Sequence, residues 1–104
     1  MKKPDTDSAV IQAIRKQIDI VDNQLIHLLF KRFKLSKEMG ILKNKSGISI
    51  IDSGRERQIF DRLLRKTQGS LIDRQLILGI WKNIIKKSYQ IQRQVYDGKK
   101  NRTD

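Results

Sequence analysis

Residues 11–42 read IQAIRKQIDIVDNQLIHLLFKRFKLSKEMGIL. Within them Ile11, Ile14, Ile18, Val21, Leu25, Leu28, Leu35, Met39 and Leu42 recur at intervals of three or four. That interval is the period of an α-helix, and a seam kept over this length predicts one very long helix. Arg32 interrupts the seam at a position where an aliphatic side chain is expected. An unpaired guanidinium among apolar groups costs several kcal/mol, so its placement predicts an anionic partner.

Working outward, the helix is expected over residues 9–45, with Ser8 as its cap and the polar, Pro4-containing residues 1–8 as a flexible N-terminus. At about 1.5 Å per residue such a rod measures roughly 55 Å, too long for a globule of this size to wrap. Part of the seam must therefore pack on another chain or a returning helix, and a homodimer is the expected outcome. Ser46-Gly47 ends the helix, and residues 48–51 form an extended link. Asp52-Ser53-Gly54-Arg55-Glu56 reads as a helix start, with Ser53 and Glu56 as a capping box and Asp52 able to cap as well. The short second helix runs to about residue 67 and buries Ile59, Phe60, Leu63 and Leu64. After the Gln68-Gly69-Ser70 break, a long third helix starts at residues 71–73 and continues to about residue 96. Its inner side carries Leu76, Ile77, Ile80, Trp81, Ile84, Ile85, Ile91 and Val95. The expected fold is all-α, three helices in one domain over residues 9–96, followed by a flexible basic tail at 97–104.

The chain has 104 residues, a formal charge of +12 and no cysteine. A disulfide framework and a thiolate metal site are excluded. No apolar run approaches the roughly 18 residues of a membrane span, and the N-terminus has no apolar signal region, so a cytoplasmic protein without a membrane partner is expected. The charge suits a nucleic-acid binder, a protein drawn to anionic membranes, or an enzyme that collects small anions; a solvated lysine-rich surface explains it equally.

Positions discriminate better than totals. Lys43 follows Arg32 by about three helical turns, which returns it to nearly the same azimuth, with backbones about 16 Å apart. Their long side chains can close on a small anion, although Lys43 also fits as a solvated cation near a helix end. Arg15 lies about 25 Å before Arg32 and reaches the same ligand only from a partner chain; otherwise it is a surface residue. Arg55 and Glu56 set a donor beside an acceptor at a helix N-terminus, where capping explains the acids without any ligand. On the third helix, Ser88 and Gln92 interrupt the apolar stripe of Trp81, Ile85 and Val95, one turn apart and facing inward, as a ligand pair or a structural one. His27, the only histidine, lies beside the seam and reads as structural. No nucleophile with a neighbouring base, metal set, glycine-rich phosphate loop or carboxylate pair is evident. An enzyme built this way works by binding and electrostatics.

Arg15, Arg32, Lys43, Asp52, Arg55, Glu56, Ser88 and Gln92 together resemble the polar set of the all-helical chorismate mutases, in particular the bacterial mutase domain fused to prephenate dehydratase. The resemblance covers about residues 14–94. It is most specific in Ile14-Arg15-Lys16-Gln17-Ile18-Asp19 with Val21-Asp22, and in residues 52–57. It implies an intertwined homodimer that converts chorismate to prephenate, toward phenylalanine and tyrosine, without a cofactor or metal. Arg32, with Arg15 from the partner, is then expected to hold the two carboxylates, with Arg55 and Ser88 assisting. Lys43 and Gln92 are expected on the ether oxygen, and Glu56 with the Asp52 backbone on the ring hydroxyl. Lys43, Gln92, Arg32 and Glu56 are the expected catalytic residues. Ser49 stands where many members have proline, and Tyr89 where a smaller aliphatic often lines the pocket, so Tyr89 either narrows the site or points its hydroxyl to solvent.

Because the chain stops soon after the third helix, a monofunctional mutase is expected. Isochorismate-pyruvate lyase or amino-deoxychorismate mutase chemistry on the same fold is the near alternative, and Glu56 favours a hydroxyl-bearing ring. A basic helical dimer that binds nucleic acid is the alternative of another class. Against it, the diagnostic cations fall in or beside apolar seams and only six aromatics are available for stacking. A catalytically silent dimerisation module is opposed by the intact Arg32, Lys43 and Gln92.

Overall fold

The computed structural model describes residues 4–100, with side chains from 6 to 96. Three α-helices follow one another: α1 (Pro4–Ser46), α2 (Ser53–Thr67) and α3 (Arg74–Lys100). No strand occurs among the described residues, as the all-α reading expects. Residues 1–3 and 101–104, parts of the two ends expected to be flexible, lie outside the described residues.

The helix ends follow local chemistry. α1 begins at Pro4, so Ser8 is an interior residue and not the cap expected of it. Proline suits the first turn because its φ is already helical and it has no N–H to leave unpaired. At the other end Gly47 adopts φ 68, which lets Ile48 N donate to Lys43 O at 2.8 Å and Gly47 N to Asn44 O at 3.4 Å. These two bonds satisfy carbonyls that the last turn leaves open.

The cap of α2 is Asp52, whose Oδ1 accepts from Arg55 N at 2.9 Å. Ser53 is already inside the helix, so the expected Ser53–Glu56 capping box does not form. Asp73 caps α3 in the same way, accepting from Leu76 N at 2.8 Å. α3 runs to Lys100, so residues 97–100 of the expected tail are helical.

The chain divides into two compact units, Met1–Arg32 and Phe33–Asp104, and α1 contributes to both. In the first, the seam residues Ile11, Ile14, Ile18, Val21, Leu25 and Leu28 are 49% to 58% exposed. Arg32 at its end is half-buried and engaged. The second unit holds the core, in which Ile59 and Leu63 of α2 pack with Ile77 and Ile85 of α3, flanked by Phe60, Leu64, Leu78, Trp81 and Tyr89. Each buried aliphatic contributes about 1.5–3 kcal/mol. Leu76 and Ile80, read as inward, are 49% and 42% exposed. The covered face of α3 is therefore narrower than its apolar face.

Candidate active site

Of the expected site residues in the second unit, Lys43, Asp52 and Glu56 come together where the end of α1, the 47–52 link, the start of α2 and Tyr89 of α3 converge. Lys43, in the last turn of α1, is half-buried and donates from Nζ to Ile50 O at 2.6 Å. It is therefore turned onto the link and not left as a solvated cation. Its Nζ stands 5.9 Å from the centroid of the Tyr89 ring, at the outer limit of a cation–π contact.

Tyr89 is the hub of the polar network. Its hydroxyl accepts from Asp52 N at 3.1 Å and donates to Glu56 Oε2 at 2.8 Å. Glu56 is thereby held toward α3, one turn into α2, in place of the expected capping role. Burial pushes the Tyr89 phenol above its ordinary titration range; the hydrogen bond to Glu56 and the nearby Glu56 and Asp52 carboxylates add to the rise, while the Asp52 backbone opposes it.

Ser88 and Gln92 are each only 5% exposed, which fits the inward stripe. Gln92 Oε1 is buried without a hydrogen-bond partner. An unsatisfied buried carbonyl of this kind costs about 1–3 kcal/mol; the indole N–H of Trp81 on the same helix is likewise buried without a partner. The position of Gln92 is set by close packing: a Cβ added at Gly40 would lie 2.8 Å from Gln92 Cα, so α1 approaches α3 more closely there than any other residue allows.

Arg55 is exposed, and its guanidinium reaches Gln58 Oε1 at 3.4 Å. Lys43, Asp52 and Glu56 are thus brought together through Tyr89 and the link. Arg15, exposed, and Arg32, half-buried, belong to the first unit.

Sequence reasoning did not single out Ser36 and Gly40, both buried on α1. Their signal was available, since two small residues one turn apart allow another helix close. The Ile50 carbonyl, which accepts from Lys43, carried none, being a backbone group that any residue supplies.

As a class, this is an all-helical protein whose polar site is assembled from helix faces and one connecting link. The family model for chorismate mutase type II matches residues 14–93, and the chain belongs to that family. It is 32% identical over 89 residues to the chorismate mutase of Methanocaldococcus jannaschii, covering 86% of this chain and 90% of that one. It is also 30% identical over 88 residues to the bifunctional chorismate mutase/prephenate dehydratase of Aquifex aeolicus, covering 82% of this chain but 24% of that protein. The T-protein of Enterobacter agglomerans is 31% identical over 81 residues, which span 78% of this chain and 22% of the relative. No solved structure gives a significant match.

Proposed function

We infer that this chain is a chorismate mutase, an isomerase that rearranges chorismate to prephenate in the synthesis of phenylalanine and tyrosine. The match of residues 14–93 to the family carries the reading. The convergence of Lys43, Asp52 and Glu56 through Tyr89, and the burial of Ser88 and Gln92 on the inner stripe of α3, supports it.

The [3,3] rearrangement breaks a C–O bond as a C–C bond forms and requires no proton transfer, but its transition state leaves negative charge on the ether oxygen. Lys43 Nζ, released from Ile50 O, and the Gln92 amide act as donors to that oxygen. Because the charge grows as the bond stretches, such donors lower the barrier and not merely the energy of the bound ground state. Arg32 holds one carboxylate and Arg15 of a second chain the other, with Arg55 and Ser88 completing the network. Fixing both carboxylates keeps the enolpyruvyl arm over the ring and removes a conformational cost. Glu56 and the Asp52 amide take the ring hydroxyl. Together these effects must supply on the order of 8 kcal/mol.

Assembly as a homodimer is part of this reading. It is supported by the apolar seam of the first unit, about half exposed in the single chain, and by a core of four buried aliphatic residues among the described ones. A small domain with so little buried surface gains most of its stability from a partner. Under the same reading the enzyme is cytoplasmic.

The test is chorismate consumption by the purified protein beside Lys43→Ala and Arg32→Ala. Wild type turns chorismate over, and Lys43→Ala lowers kcat by about 10²–10³, the usual loss for one donor to a developing oxyanion. A wild type that leaves chorismate intact overturns the assignment.

A further inference from the structure

The hydroxyl of Tyr89 fills the position that the reading above gives to the substrate's ring hydroxyl. It takes the Asp52 N–H at 3.1 Å and gives its own proton to Glu56 Oε2 at 2.8 Å, the donor and acceptor a bound alcohol would use, in the same sense. The Glu56 carboxylate has lone pairs to spare, but the Asp52 amide has one hydrogen and cannot serve two hydroxyls equally.

We propose that Tyr89 is a resident, displaceable stand-in for the substrate's ring hydroxyl, so that substrate entry requires the phenol to leave Asp52 N and Glu56 and Tyr89 thereby sets the affinity for chorismate. The proposal rests on the assignment of chorismate to this site. The placement of the ring supports it, because Tyr89 is only half-buried, packed against the edge of the core and not within it, so its outer end is free to turn away while the α2–α3 packing stays. It also explains a feature that narrowing of the pocket alone leaves unexplained. A bulky side chain that merely reduced the volume has no need of a hydroxyl, whereas this one engages the same two groups that recognise the ligand.

Tyr89→Phe keeps the ring and removes the competing hydroxyl. Displacement predicts that KM for chorismate falls about tenfold, the worth of one hydrogen bond to a charged acceptor, while kcat changes by less than about twofold. A tether with a purely structural role predicts a lower midpoint in urea with KM unchanged; an unchanged or raised KM overturns the proposal. If wild type and variant alike leave chorismate unconverted, the functional assignment itself has failed, and the stand-in role falls with it.

A second readout follows the phenol directly. In a Tyr96→Phe background with ¹³Cζ-labelled tyrosine, the single remaining resonance is to be titrated with prephenate, the stable product, with occupancy measured by calorimetry. Displacement moves the resonance in step with occupancy. A resonance unmoved at saturation overturns it.

Discussion

At the scale of single residues, the site is a set of donors and acceptors bound to one another. Lys43 is spent on Ile50 O, Glu56 and the Asp52 amide on Tyr89, while Gln92 Oε1 has no partner. The pH behaviour separates these groups. In its proposed role Gln92 is neutral and needs no protonation before it donates, so kcat measured between pH 5 and pH 8 is expected to show no limb rising steadily toward acid; such a limb below about pH 6 contradicts that role. Tyr89 acts at the other end of the scale. Its phenol is raised above the ordinary value of 10.0, chiefly by burial. A folded-state value above the unfolded one means that the neutral phenol contributes stability fully below about pH 10, and that this is lost as pH rises through the folded value. Ultraviolet difference titration of the Tyr96→Phe protein is expected to place Tyr89 ionisation above that of the urea-unfolded chain; coincident titrations contradict it.

At the scale of elements, the helices are placed by caps and by small residues. Asp52→Ala removes the acceptor for Arg55 N and is expected to lower stability by about 1 kcal/mol, read as a shift of the urea midpoint at constant slope. Gly40→Ala tests the close approach of α1 and α3. Alanine favours a helix over glycine by about 1 kcal/mol, but its Cβ would meet the Gln92 backbone at 2.8 Å, and backbone cannot turn aside as a side chain can. Overpacking of about 1–3 kcal/mol therefore prevails, and kcat falls as Gln92 is pushed from position. A variant as stable and active as wild type shows that the helices can part without consequence.

The same elements show what the sequence discloses and why. The breaks at Gly47 and Gly69 are local, each a left-handed glycine with φ 68 or 71, and so were legible, as was the inward pair Ser88 and Gln92. Ser53, Asp52 and Glu56 were ambiguous because either of two residues can cap. The choice went with a contact to Tyr89, 33 positions beyond Glu56, which no local pattern encodes. Leu76 and Ile80 read as inward because periodicity reports an apolar face, not how much of it another helix covers.

At the scale of the whole molecule, two facts bear on the proposed dimer. The first unit presents an apolar seam from Ile11 to Leu28 with each seam side chain about half exposed, and the second has a small core. A face of this kind in a chain carrying +12 is not maintained for solubility, since charges would serve better there. Arg15 lies on that same stretch of α1, exposed, and the proposed dimer assigns it to the neighbour's site. If the sites are shared in this way, two inactive variants complement each other. Arg15→Ala lacks the arm given to the partner and Lys43→Ala lacks the group kept at home, so a mixed pair contains one site with both residues and one with neither. Random pairing after joint unfolding and refolding makes half the dimers mixed, which restores about a quarter of the wild-type sites. Chorismate turnover recovering to that level, while each variant refolded alone stays inactive, establishes the shared site. No recovery, with mixed dimers confirmed by native mass spectrometry, removes Arg15 from the partner's site and leaves the seam a purely structural interface.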